Sequence, residues 1–178
     1  LNGCVVIHTY TQKGKGYKPA EESPDGFHSI APRMAEGKSL HSIFANALIE
    51  RARDDKDVVA ITAAMGIGTG LSAFEDAYPE RYFDVGIAES HALTFAAGLA
   101  AAGKKPYCAI YSTFLQRAYD NIIHDVALQS LPVTLCIDRA GLNDKDGATH
   151  HGIFDVAFLS HIPDMEIYTP VTEKGVRE

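Results

Sequence analysis

Five short apolar runs separated by helical patterns constrain this 178-residue chain more than any other feature. They are DVVAIT (57–62), the segments 81–87 and 106–112, PVTLCI (132–137) and MEIYT (165–169). Leu40, Phe44, Ala47 and Leu48 recur at helical spacing ahead of the first run. Further helices are expected near 71–77, 90–102, 113–129 and 153–160, the third with Leu115, Ala118, Ile122 and Val126 on one face. A strand buried on both faces is continuously apolar, whereas a half-exposed one alternates. The pattern therefore predicts an α/β fold, a doubly wound parallel sheet with helices on both faces. In that architecture ligands bind beyond the carboxyl ends of the strands. A short strand is also expected at CVVIHTY (4–10), followed by an irregular arm over 11–38 that is rich in glycine and proline and has no apolar period.

Charge and composition exclude several classes. A formal charge of −7 with no cluster of Lys and Arg argues against nucleic-acid binding, which needs a concentrated cationic face. No apolar run reaches the roughly 20 residues of a membrane-crossing helix. Cys4, Cys108 and Cys136 each lie in a β-like apolar run without metal-ligand spacing, and are expected to be buried free thiols in a reducing, cytoplasmic setting. The opening LNGCVV carries neither an initiator methionine nor a signal-peptide pattern, so the chain is expected to be a piece of a longer one.

Titratable residues crowd the segments that follow the strands. AAMGIGTG follows the first; it lacks the order of a P-loop or dinucleotide fingerprint, and Gly66, Gly68 and Gly70 are expected to form a tight turn. Glu89 stands between the second strand and an alanine-rich helix. Tyr111, Phe114 and Arg117 follow the third strand. Asp138 and Arg139 follow the fourth, ahead of a loop holding Asp144, Asp146, His150 and His151. Each has a plain structural reading. An acid in a first helical turn is favoured by the macrodipole by about 0.3–1 kcal/mol with no further task. Tyr111 and Phe114 fit a core, Arg117 a solvated helix face, and adjacent histidines are poorly spaced for one metal. Pattern alone supports a pocket at one sheet edge and no particular reaction.

Read together, HTYTQKGKGYKPAE, ITAAM…GTGL, RYFDVGIAESHALTFAAGLA, AIYSTFLQRAYDNIIHDVALQSLPVTLCIDRAG and DGATHHGIFD resemble the central, pyrimidine-binding domain of the 1-deoxy-D-xylulose-5-phosphate synthase family, thiamine diphosphate enzymes of the transketolase superfamily. The resemblance spans nearly the whole chain. It implies that 1–38 is the end of a preceding domain with its linker, 39–170 the pyrimidine-binding domain, and 171–178 the start of a connection to a C-terminal domain. It implies that Glu89 hydrogen-bonds N1′ of the aminopyrimidine, favouring the imino tautomer that removes the thiazolium C2 proton. Such a role needs a carboxyl held in an apolar site and able to share its proton. Phe114 would lie against the pyrimidine, Tyr17 would contact the cofactor, and His28 matches a histidine proposed for proton transfer. Arg139 matches the residue that binds the phosphate of D-glyceraldehyde 3-phosphate, a task suited to a guanidinium fork. Tyr111, Arg117, Asp146 and His150 match positions that handle the acceptor or the intermediate.

The implied reaction joins pyruvate, with loss of CO₂, to D-glyceraldehyde 3-phosphate in a homodimer, feeding isoprenoid, thiamine and pyridoxal synthesis. The family's GDG…N motif for Mg²⁺ and the diphosphate does not occur in this sequence, so these ligands are expected on a separate N-terminal domain and the chain alone is expected to be inactive. Ser90 stands where the family usually has Gln, and MGIGTG replaces a commoner charged or proline-containing loop. Two other readings stand beside this one. The chain could be a subunit of a split transketolase or pyruvate dehydrogenase-type heteromer, or a non-catalytic domain that acts only by association.

Overall fold

Strand β1 (Val58–Thr62) is buried at every residue and lies inside a four-stranded parallel sheet. The computed structural model describes residues 3–23, 27, 39–143 and 146–177. The sheet order is β2 (Tyr82–Asp84), β1, β3 (Lys105–Tyr111), β4 (Thr134–Asp138). Ala60 pairs with Tyr82 on one side and Tyr107 on the other, and Cys108 with Leu135. The Thr62 hydroxyl, inside the sheet, donates to the Ala109 carbonyl at 2.8 Å.

Side chains that alternate along these strands feed two cores. Ile61, Cys108 and Ile110 pack with Ala92, Leu93, Ala96 and Ala97 of α4 (Glu89–Ala101) and with Leu115, Ala118, Ile122 and Val126. Val58, Ala60 and Ala109 pack with Leu48 and Ala52 of α2 (Leu40–Asp54) and with Phe74 of α3 (Ser72–Ala77). Helices thus cover both faces, as the continuous apolar runs require. The chain passes from β1 outward to β2 through α3, then back across β1 to β3 through α4. Reversing direction puts the two helices on opposite faces, because such crossovers are right-handed. The crevice between the ends of β1 and β3 is therefore the topological switch point.

The helix expected over 113–129 is broken. It runs as α5 (Ser112–Leu115), a 3₁₀ turn (Gln116–Ala118), α6 (Tyr119–Asn121), a π-helical turn (Ile122–Val126) and a second 3₁₀ turn (Ala127–Gln129). Polar bonds to α4 accompany the breaks. Ser90 donates to the Arg117 carbonyl at 2.8 Å, and Asn121 donates to the Thr94 hydroxyl and the Asp125 carboxylate, both at 3.0 Å. Downstream, α7 covers Asp155–Leu159 and α8 covers Glu173–Arg177.

The fifth expected strand does not form. Residues 165–169 pair with no strand among the described residues, and Ile167 and Tyr168 are left exposed. β-propensity reflects fit to a half-buried pleated surface, and among the described residues no strand pairs with this segment beyond the edge strand β4. The chain divides into Leu1–Gly37 and Lys38–Glu178. In the first of these, residues 4–10 also form no strand; Val6 and Ile7 are exposed, and so is Cys4, contrary to the expectation of three buried thiols. A single apolar run without a described partner strand leaves those side chains in water. Burial raises the Cys108 thiol well above its ordinary range and pushes that of Cys136 up to about 12. The one described helix of this unit, α1 (Lys18–Glu21), has Pro19 in its first turn, and the Glu21 carboxylate accepts the Gly16 N–H at 2.8 Å. At the amino edge of the sheet Lys104 pairs with Asp57 at 2.8 Å and Lys105 with Asp55 at 2.6 Å.

Hydrogen bonds from Thr94, His124 and Asn121 pull the Asp125 carboxyl down to about 2. A folded-state value below the unfolded value of about 3.9 contributes stability at higher pH, and the contribution is lost as protons bind on acidification. Urea unfolding between pH 6 and 2 should show wild-type stability falling from about pH 4 towards 2, with a flatter dependence for Asp125→Asn. Parallel curves for the two proteins would contradict this account.

Candidate functional site

The carboxyl ends of β2, β3 and β4 close with Asp84, Tyr111 and Asp138, and each begins a stretch of site structure. Asp84 fixes the first. Its Oδ1 accepts the Gly86 N–H at 2.9 Å and the Ala64 N–H at 2.8 Å, tying the turn after β2 to the loop after β1. Gly86 takes a left-handed φ of +71°, and the chain enters α4 at Glu89. Glu89 is only 3% exposed although it bears a carboxyl group and opens a helix.

Burial of a lone carboxylate is costly, and here it is answered by a cation. Nη1 of Arg117 lies 2.5 Å from Glu89 Oε1. Glu89 is shut inside while the Arg117 side chain is 55% exposed, so the pair spans the wall of the cleft. The same guanidinium stands 5.0 Å from the centre of the Phe114 ring. Phe114 stacks on Tyr111 with centroids 5.9 Å apart and meets the edge of His150 at 5.2 Å. Arg139 lies over the other aromatic, 3.7 Å from the Tyr111 centroid. A continuous series of stacked and charged groups therefore runs Glu89, Arg117, Phe114, Tyr111, Arg139.

Arg139 sits at the switch point. Nη1 donates to the Gly68 carbonyl and to Asp138 Oδ2, both at 3.3 Å, and Nε is 3.7 Å from Asp146 Oδ2. A cavity of about 270 Å³ opens here, lined by His41, Asp138, Arg139, Leu142, Asn143 and Asp146. The residue has φ +58°, an uncommon conformation for a side chain of this size. Its carbonyl is pressed by Gly152, where a Cβ would come within 2.5 Å of it and within 2.3 Å of Ser112 Oγ. Gly141 and Gly152 exchange two backbone hydrogen bonds at 2.7 and 2.8 Å, closing the loop that carries Asp146 and His150. The buried Ser112 hydroxyl lies 2.8 and 2.6 Å from the two carboxylate oxygens of Asp155, whose carboxyl burial raises above the usual range. Burial also raises the Tyr111 phenol, opposed by the Arg139 charge.

Glu89, Phe114, Tyr111, Arg139, Asp146 and His150 thus gather at one edge. Arg117 was expected among the acceptor-handling residues, and it stands against Glu89. Tyr17 lies in Leu1–Gly37, 51% exposed and edge-on to Phe27 at 6.2 Å. His28 and Asp144 lie outside the described residues. Sequence reading passed over three supports. Ser112 and Asp155 are 43 positions apart and carry no joint motif. Of the three glycines read as a tight turn, only Gly70 has a positive φ; Gly68 is required because its Cβ would fall 1.5 Å from the Tyr111 hydroxyl oxygen, a close approach that the glycine-rich run signalled without giving its reason. His41, on the first turn of α2, lines the cavity with no signal at all.

The site's chemistry fits an aminopyrimidine: a buried carboxylate with one oxygen engaged by an arginine that also lies over an aromatic ring. Comparison with known proteins points the same way. Residues 36–178 match the family described as the transketolase pyrimidine binding domain. The 1-deoxy-D-xylulose-5-phosphate synthase of Aquifex aeolicus (strain VF5) is 54% identical over 187 residues, covering 100% of this chain and 30% of that protein. The synthase of Clostridium perfringens (strain SM101 / Type A) is 54% identical over 96% of this chain and 29% of its own length. This chain therefore spans about 30% of the length of the curated relatives it matches. Among solved structures, a split gene transketolase, an inactive beta4 tetramer, is 30% identical with a TM-score of 0.69, covering 80% of this chain and 46% of that one. A Pichia stipitis transketolase in complex with sedoheptulose-7-phosphate, 20% identical over 72% of this chain and 21% of its own, has a TM-score of 0.63 and shares the fold.

Gly68→Ala should destabilise the chain by about 1–3 kcal/mol through overpacking against Tyr111, and Gly68→Ala/Tyr111→Phe should recover part of that loss. A urea double-mutant cycle checks it, and strict additivity would show that the two groups do not compete for space.

Proposed function

From the premise that the chain belongs to the transketolase pyrimidine-binding domain family, we propose that it provides the acid side of the thiamine diphosphate site in a 1-deoxy-D-xylulose-5-phosphate synthase. The observation that carries this reading is the placement of Glu89, buried at the carboxyl edge of the sheet and paired with the Arg117 guanidinium that lies over Phe114. When bound, thiamine diphosphate supplies the carbanion-stabilising centre that lets pyruvate lose CO₂ and join D-glyceraldehyde 3-phosphate. Glu89 shares a proton at the pyrimidine N1′ from a carboxyl whose burial strengthens its interactions with neighbouring charge. Phe114 offers its ring to the pyrimidine, Tyr17 a further cofactor contact, and His28 a proton-transfer group.

Arg139 takes the acceptor phosphate, with Tyr111 fixing the guanidinium plane by stacking. Asp138 and Asp146 pair with this arginine through Nη1 and Nε, and the guanidinium keeps further N–H donors for a phosphate. Asp146 lines the same cavity and His150 stands against Phe114; both handle the acceptor, together with Arg117. Mg²⁺ and the diphosphate are held by an N-terminal domain outside this chain, a C-terminal domain completes the enzyme, and the assembled protein works as a cytoplasmic homodimer. The likeness to a split gene transketolase favours one second reading, in which a separate chain brings the diphosphate-binding domain.

In the complete enzyme Glu89→Gln should lower kcat by roughly 10²- to 10⁴-fold, the scale of a lost proton-transfer group, with an unchanged circular dichroism spectrum. Turnover within twofold of wild type would overturn the reading. The isolated chain, given both substrates, thiamine diphosphate and Mg²⁺, should form no sustained product in a coupled assay.

A further inference from the structure

The two oxygens of the Glu89 carboxylate are not equivalent. Oε1 accepts from Arg117 Nη1 at 2.5 Å. Oε2 has no hydrogen bond, yet among the described residues no side-chain oxygen or nitrogen that is sealed from solvent lacks a partner. Oε2 therefore keeps some exposure to solvent although the residue as a whole is 3% exposed.

The partner of Oε1 is itself held at its backbone. The Ser90 hydroxyl donates to the Arg117 carbonyl at 2.8 Å, at the 3₁₀ turn that interrupts the helical run. Ser90 directly follows Glu89, so the contacts close a ring: Glu89 side chain, Arg117 side chain, Arg117 backbone, Ser90 side chain, and back to Glu89 through one peptide. Phe114 stands one helical turn before Arg117 and lies under the guanidinium, which limits where that group can swing. A carboxyl held by one oxygen inside such a ring cannot rotate freely. The serine that replaces the family's usual glutamine is thereby given a task.

Building on the cofactor reading above, we propose that Arg117 is a positioning residue for Glu89, holding Oε1 so that Oε2 is the oxygen presented to N1′ of an aminopyrimidine, with Ser90 fixing the arginine's backbone. The planar guanidinium supplies a direction as well as a charge. Lysine supplies the charge alone.

The first test needs no cofactor. In this chain labelled with [¹³Cδ]glutamate, Glu89→Gln identifies the Glu89 carboxyl resonance. Arg117→Met should move that resonance, Arg117→Lys should leave it between the two, and Ser90→Ala should move it in the same direction as Arg117→Met. An unmoved resonance in a variant with a dispersed amide spectrum overturns the proposal; if Arg117→Met does not fold, Ser90→Ala decides by the same criterion. The second test follows hydrogen–deuterium exchange at the thiazolium C2 of thiamine diphosphate in the complete enzyme. Misplacing the acid should slow exchange roughly 10- to 100-fold in Arg117→Met, with partial recovery in Arg117→Lys. Exchange within twofold of wild type in Arg117→Met, where Glu89→Gln abolishes it, overturns the positioning role. Wild-type exchange in Glu89→Gln would overturn the cofactor reading instead, while the resonance shifts still report whether Arg117 sets the carboxyl.

Discussion

Parallel pairing of β3 with β1 on one side and β4 on the other is the constraint from which the rest of the molecule follows. Because all four strands run the same way, each must return by a crossover, and the helices of those crossovers bury both faces. The same geometry delivers Asp84, Tyr111 and Asp138 to one edge although they lie far apart in sequence. Reversal of the winding at β1 then separates the following loops and leaves a crevice. Arg139 occupies it because Gly68 and Gly152 remove the side chains that would fill it.

Within that edge the chemistry is carried by compensation. Glu89 tolerates burial because Arg117 faces it, and Arg139 is surrounded by Asp138 and Asp146. The stacked rings of Phe114 and Tyr111 lie between the two arginines, Arg117 engaging the single carboxylate of Glu89 and Arg139 two carboxylates. Anything that displaced Asp138 or Asp146 from Arg139 would leave that carboxylate to be paired or solvated elsewhere.

Much of this was legible in the residues. Continuous apolar runs gave the number of central strands and the two-sided cover, since only burial on both faces explains the lack of alternation in VVAIT. The same logic overcounted at MEIYT, where propensity was present and a pairing strand among the described residues was not. Glu89 stood out because an acid between an apolar strand and an alanine-rich helix demands a partner, yet the partner's identity depended on a helical break that periodicity does not encode. Leu115, Ala118, Ile122 and Val126 fit a regular helix well enough to hide the 3₁₀ and π turns that set Arg117 over Glu89. Contacts such as Ser112 with Asp155 are set by tertiary register and have no local signature.

The amino edge of the sheet deserves a practical reading. There the turn at Gly103 adopts φ +85° with open space around it, flanked by surface ion pairs from Lys104 and Lys105. Glu89, Tyr111, Phe114, Arg117 and Arg139 lie at the opposite end of the strands. A tether, fluorophore or inserted peptide placed at that turn would immobilise or report on the domain from its blind side, leaving the mouth of the cleft unobstructed.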